Sequence, residues 1–115
     1  MKRLSLAVAV LAVFASPALA HAFLQHASPG AGASLAAPPK EIALSFTKDL
    51  EPSLSGIAVT DADGHDEAAA KPVIDDSSVT VVLKPLMPGT YHVAWHAVSV
   101  DSHRTEGDYA FTVKP

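Results

Sequence analysis

Between His21 and Pro115 the apolar residues recur at every second position, in short runs broken by proline, glycine, aspartate and serine, without the three-to-four spacing of an amphipathic helix. Ile42, Leu44 and Phe46 alternate with Ala43, Ser45 and Thr47. Val79, Val81 and Leu83 alternate with Thr80, Val82 and Lys84, and Tyr109, Phe111 and Val113 with Asp108, Ala110 and Thr112. A period of two puts each apolar set on one face of a strand, and that face needs a core to rest on. Adding residues 23–26, Gly56–Thr60, a weak segment at 73–74 and the long run 91–100 gives about seven strands. Turn signals separate them at Ser28-Pro29-Gly30, Ala37-Pro38-Pro39, Glu51-Pro52-Ser53, residues 61–64 and Met87-Pro88-Gly89. The pattern predicts an all-β fold, an antiparallel Greek-key β-sandwich or small barrel, with the alanine-rich stretches 31–37 and 68–70 as loop.

Residues 1–20 are built differently. A basic start (Lys2, Arg3), an apolar run from Leu4 to Ala15 and a small-residue ending at Ala18-Leu19-Ala20 form the layout of a secretory signal peptide. The apolar run falls short of the roughly 18 to 20 residues that cross a bilayer core, and Ser16-Pro17 ends it. The expected cleavage after Ala20 leaves residues 21–115 as one exported domain. That domain has six basic residues against twelve acidic ones, a formal charge of −6. An acidic surface disfavours nucleic acid and favours cations. The chain has no cysteine, so neither a disulfide nor a thiolate metal ligand is available.

Signal removal would make His21 the first residue. A free N-terminal histidine offers an amine and an imidazole nitrogen on one residue, and it chelates with little additional ordering entropy. Nitrogen-rich tetragonal sites suit Cu(II), which also heads the divalent affinity series. Asp101-Ser102-His103 follows the longest strand run; in extended chain, residues i and i+2 point to one side, so the Asp101 carboxylate and His103 ring can converge on one ion. The bland alternatives stay open on spacing alone: an incidental His21, and a polar turn in which Asp101 bonds the backbone.

The segments that follow carry a resemblance. They are the post-cleavage His21, His26-Ala27-Ser28-Pro29-Gly30-Ala31-Gly32, Ile42-Ala43-Leu44-Ser45-Phe46, Pro88-Gly89-Thr90-Tyr91-His92-Val93, and residues 95–103 leading into Gly107-Asp108-Tyr109-Ala110-Phe111. Together they resemble the CopC-like periplasmic copper-binding proteins of copper resistance. The C-terminal pattern Tyr-x-Val-x-Trp-x-x-x-Ser-x-Asp-x-His is the specific part. The resemblance implies an immunoglobulin-like Greek-key sandwich in the periplasm. It also implies Cu(II) held by the amine and ring of His21, the Asp101 carboxylate and the His103 ring, with copper exchanged with a CopD-type inner-membrane copper transporter. Some members carry a methionine-rich Cu(I) loop; the corresponding residues 60–74 contain no methionine, and Met87 is the one methionine after the leader. Some members place a glutamate where Lys48 stands here, with Asp49 beside it.

The remaining histidines read as ordinary. His92 and His96 share a strand face but lie about 13 Å apart in extended chain, too far for one ion. His96 is a candidate supporting group for the Asp101 turn. His26 cannot easily close on a metal held by His21. Residues 61–67 superficially resemble a calcium loop, but the glycine comes too early and no glutamate closes it, so a solvated turn is expected around His65. Trp95, Phe46 and Phe111 read as core.

No nucleophile with a base and orienting partner, and no carboxylate pair set for acid–base work, is evident, so a non-enzymatic monomeric Cu(II) carrier or sequestering protein leads. The alternatives are a copper-dependent oxidative enzyme using the same histidine chelate, as in the copper polysaccharide monooxygenases, and a metal-free structural sandwich.

Overall fold

The computed structural model describes residues 23–115; residues 1–22, and with them the leader, its cleavage site and His21, lie outside the described residues. Eight strands follow one another: β1 (Leu24–Ser28), β2 (Ser34–Leu35), β3 (Glu41–Phe46), β4 (Gly56–Thr60), β5 (Val73–Asp75), β6 (Ser78–Val82), β7 (Gly89–Val98) and β8 (Arg104–Val113), with a single 3-10 turn at Pro52–Leu54. They form two four-stranded sheets, ordered β1-β3-β6-β5 and β2-β8-β7-β4. That order is the immunoglobulin-like sandwich of the constant type, with the short β2 added parallel to β8. The expected sandwich is therefore the fold, and the barrel alternative is not.

Alternation drives the packing. Ile42, Leu44 and Phe46 of β3 face Tyr91, Val93, Trp95 and Ala97 of β7, and all are buried, whereas His92, Ala94 and His96 point outward. Phe23 packs tilted against Phe46 at 5.4 Å, and Phe46 meets Trp95 edge-on at 5.3 Å, so an aromatic column crosses the core below one end of the sandwich. Tyr91 stacks on Phe111 at the other end and donates its hydroxyl to the Met87 carbonyl at 2.6 Å, the tyrosine-corner contact of immunoglobulin-like domains. Tyr109 donates to the Pro29 carbonyl at 2.8 Å, and burial pushes its phenol up to about 12.

Three expectations about elements need correction. Ser34–Leu35 is a strand, not loop; two residues are too few to show alternation, and they are held by pairing with Thr112 and Val113. The run 91–100 stops pairing as a strand at Val98, because the chain turns from Ser99. The last strand begins at Arg104, not near Tyr109, because Thr105 and Gly107 occupy inward positions that carry no apolar signal.

Gly107 sits opposite Trp95 in the β7–β8 ladder, and a Cβ added there would lie 2.8 Å from Trp95 Cζ2. The indole is wedged in the core and cannot retreat freely. Gly107→Ala is expected to destabilise the fold by about 1–3 kcal/mol. A thermal melt checks this, at roughly 4–8 °C per kcal/mol for a domain of this size; an unchanged Tm would mean that the indole has room to shift.

Candidate metal centre

The β7–β8 hairpin pairs continuously from Gly89↔Val113 to Val98↔Arg104, so the loop at 99–103 is held by the longest ladder in the fold. Ser99 organises that loop. It is fully buried, forms an isolated bridge with Leu50, and its amide donates to the His103 carbonyl at 2.8 Å. Its hydroxyl accepts from the His103 amide at 3.1 Å and donates to Asp101 Oδ1. The Ser102 amide closes on the Ser99 carbonyl at 2.8 Å, and Ser102 takes a φ of 73°, in the left-handed region.

Asp101 and His103 do converge, with Asp101 Oδ1 3.1 Å from His103 Nδ1, but not by the expected route. The chain here is a tight turn and not an extended segment, so the polar turn itself brings the carboxylate and the ring together. Two ligand atoms each about 2.0–2.2 Å from one small cation and at right angles to each other are separated by roughly 3 Å, so this pair fits a shared ion. Both side chains are exposed, at 40% and 76%, and reachable from solvent. The Ser99 hydroxyl, the Lys48 ammonium and His103 hold the Asp101 carboxyl well below the usual carboxylate range. A carboxylate with a depressed pKa contributes stability above its ordinary range and loses it as pH falls through the lowered value, so the Asp101 carboxylate is anionic at neutral pH.

The segment 47–51 connects this turn to the start of the described chain. The Thr47 amide donates to the Phe23 carbonyl at 2.9 Å, and the Val100 amide to the Asp49 carbonyl at 3.0 Å. The Glu51 amide donates to the Val98 carbonyl at 2.8 Å. Lys48 reaches across with its Nζ 2.9 Å from Asp101 Oδ2. Lys48 thus places a cation in direct contact with the Asp101 carboxylate.

His96 does not support the turn: its ring lies over Gly56, 3.0 Å from where a Cβ would stand, and among the described residues it makes no hydrogen bond to residues 99–103. His26 is exposed on β1. His65 lies in a solvated turn, as expected, in which Asp61 Oδ1 accepts from the Asp63 and His65 amides at 2.9 and 2.8 Å. Asp61, Asp63 and His65 also bring ligand atoms within 4.8 Å of one another. Thr60 pairs with His92 and Gly56 with His96, so this cluster caps the end of the sandwich opposite Ser99. Its internal hydrogen bonds account for its arrangement.

Ser99 and Lys48 are the residues whose roles sequence reasoning did not assign. Ser99 stands inside the C-terminal pattern, and its place in the inward phase set by Tyr91, Val93, Trp95 and Ala97 was the available signal. The contact of Lys48 with Asp101 becomes legible only when topology brings the 47–51 segment against the hairpin.

Residues 24–114 match the family model of the CopC domain. Copper resistance protein C of Xanthomonas campestris pv. juglandis is 41% identical over 123 aligned positions, covering 96% of each chain. Protein YobA of Escherichia coli (strain K12) is 34% identical over 116 positions, covering 97% of this chain and 94% of its own. The crystal structure of CopC from Methylosinus trichosporium OB3b aligns with a TM-score of 0.74 at 35% identity, over 83% of this chain and 95% of that one. The match takes in both sheets and the hairpin that carries Asp101 and His103: the chain belongs to the CopC family.

Proposed function

We propose that this protein is exported to the periplasm and there binds Cu(II) at a single site, as a carrier or sequestering protein of copper resistance or homeostasis without a catalytic cycle. The observation that carries the reading is the Asp101–His103 pair, a carboxylate and an imidazole 3.1 Å apart on an exposed turn locked by a buried serine. The ligand set proposed is the amine and ring of His21 with Asp101 and His103, three nitrogens and one oxygen, a donor set suited to Cu(II). Support for His21 comes from covalent reach. Phe23 is bonded to Thr47 beside Lys48, Lys48 touches Asp101, and two residues of chain span at most about 7 Å. The Xanthomonas relative carries copper resistance in its name, which agrees with this reading.

A single-site protein is favoured by composition, since residues 60–74 contain no thioether and Met87 is exposed at the opposite end of the sandwich. The protein is read as a monomer that exchanges copper with a CopD-type inner-membrane transporter. In this scheme the chain's own residues bind and release an ion and move no substrate bond.

His103→Ala is expected to change the electron paramagnetic resonance spectrum of the Cu(II)-loaded protein and to lower its affinity, while His65→Ala leaves both as they are. The reverse result would move the ion to the 61–65 turn and sink the assignment.

A further inference from the structure

The carboxylate proposed to bind copper already has a cation in contact with it. Lys48 Nζ lies 2.9 Å from Oδ2, while the Ser99 hydroxyl and His103 Nδ1 engage Oδ1, so both oxygens of the carboxylate are occupied. A divalent ion arriving at this carboxylate therefore meets an ammonium on the same group. The two charges would sit within roughly 6 Å, inside the screening length of physiological salt, where like charges repel. The Asp101 attachments are unequal. Ser99 is fully buried and fixed by the turn, whereas the Lys48 side chain is 52% exposed on a flexible stem that solvent can take up. Exposed ion pairs of this kind are weak, so the ammonium is the partner that yields.

We propose that Lys48 is an internal competitor for the metal: its ammonium holds Asp101 in the copper-free protein, is displaced as the ion binds, and returns to the carboxylate as the ion leaves. The inference rests on the reading of Asp101 as a ligand. Its consequence is a site that is weaker and releases faster than the same ligands would give without Lys48, which suits a protein that has to hand its ion on. The sign of the effect is what distinguishes this role. A lysine that merely aimed the carboxylate would strengthen binding.

The test is a Cu(II) competition titration against a chelator of known affinity, on protein whose terminus at His21 is confirmed by mass spectrometry, with stopped-flow transfer to excess chelator as the second readout. Lys48→Met is expected to bind about three- to tenfold more tightly and to release more slowly. Lys48→Glu, which adds a carboxylate, is expected to exceed it. The gain should vanish when Lys48→Met is combined with Asp101→Asn. Unchanged or weaker binding by Lys48→Met overturns the competitor role, as does a gain that persists without the Asp101 carboxylate. Asp101→Asn in the otherwise native chain separates the two ideas. If it weakens binding and Lys48→Met does not tighten it, Asp101 remains a ligand and the competitor fails; if it has no effect, the ligand reading fails first. Lys48 is exposed at an irregular segment, and circular dichroism confirms that each variant is folded.

Discussion

A single extra residue retained ahead of His21 is expected to weaken Cu(II) binding by about a hundredfold or more. The extension turns the proposed amine ligand into a peptide nitrogen, whose lone pair is delocalised into the carbonyl and which binds metal only at the added cost of losing its amide proton. It also leaves the imidazole as a lone donor, so the advantage of two nitrogens on one residue is lost. The carboxylate and imidazole of the 99–103 turn are untouched, since Ser99 fixes them from within the core. Parallel competition titrations on the two forms decide the matter, and equal affinities would eliminate the chelate while leaving Asp101 and His103 as candidates.

Acidification is expected to have the next largest effect. Free α-amines and imidazoles ionise near ~7.7–8.0 and ~6.5, and each must shed its proton to bind metal. With one amine and two rings in the proposed ligand set, the limiting slope below about pH 6 is roughly three decades of affinity per pH unit. Asp101 adds nothing to this slope, because Ser99 and Lys48 keep its carboxyl ionised far below that range. Chelator competition at fixed ionic strength from pH 8 to 5 measures the slope. A flat profile would exclude imidazole and amine ligands together.

The core was legible because alternation is a local signal. Ile42, Leu44 and Phe46, and then Tyr91, Val93 and Trp95, fall on the inward face that their spacing predicts. Elements without an apolar rhythm were not legible: β2 has two residues, and the first half of β8 turns Thr105 and Gly107 inward. At the site, Asp101 and His103 could be named from their types and spacing, yet their convergence comes from a turn with Ser102 in the left-handed region, which no periodicity encodes. Lys48 was visible as a residue out of keeping with relatives. Its contact with a group 53 positions away depends on how the two sheets are joined, and such long-range neighbours are set by topology.

The absence of cysteine acquires a meaning beside the 47–51 segment, which links the start of β1 to the β7–β8 hairpin by non-covalent contacts alone. An ion ligated by both residue 21 and the 101–103 turn would tie together points of the chain roughly eighty residues apart, and because that site exists only in the folded chain, binding would stabilise the fold by about 4 kcal/mol at free ion roughly a thousandfold above Kd. Metal would then serve as the staple that sulfur supplies in disulfide-bonded sandwiches, one that is undone by chelation and not by cleavage of a covalent bond.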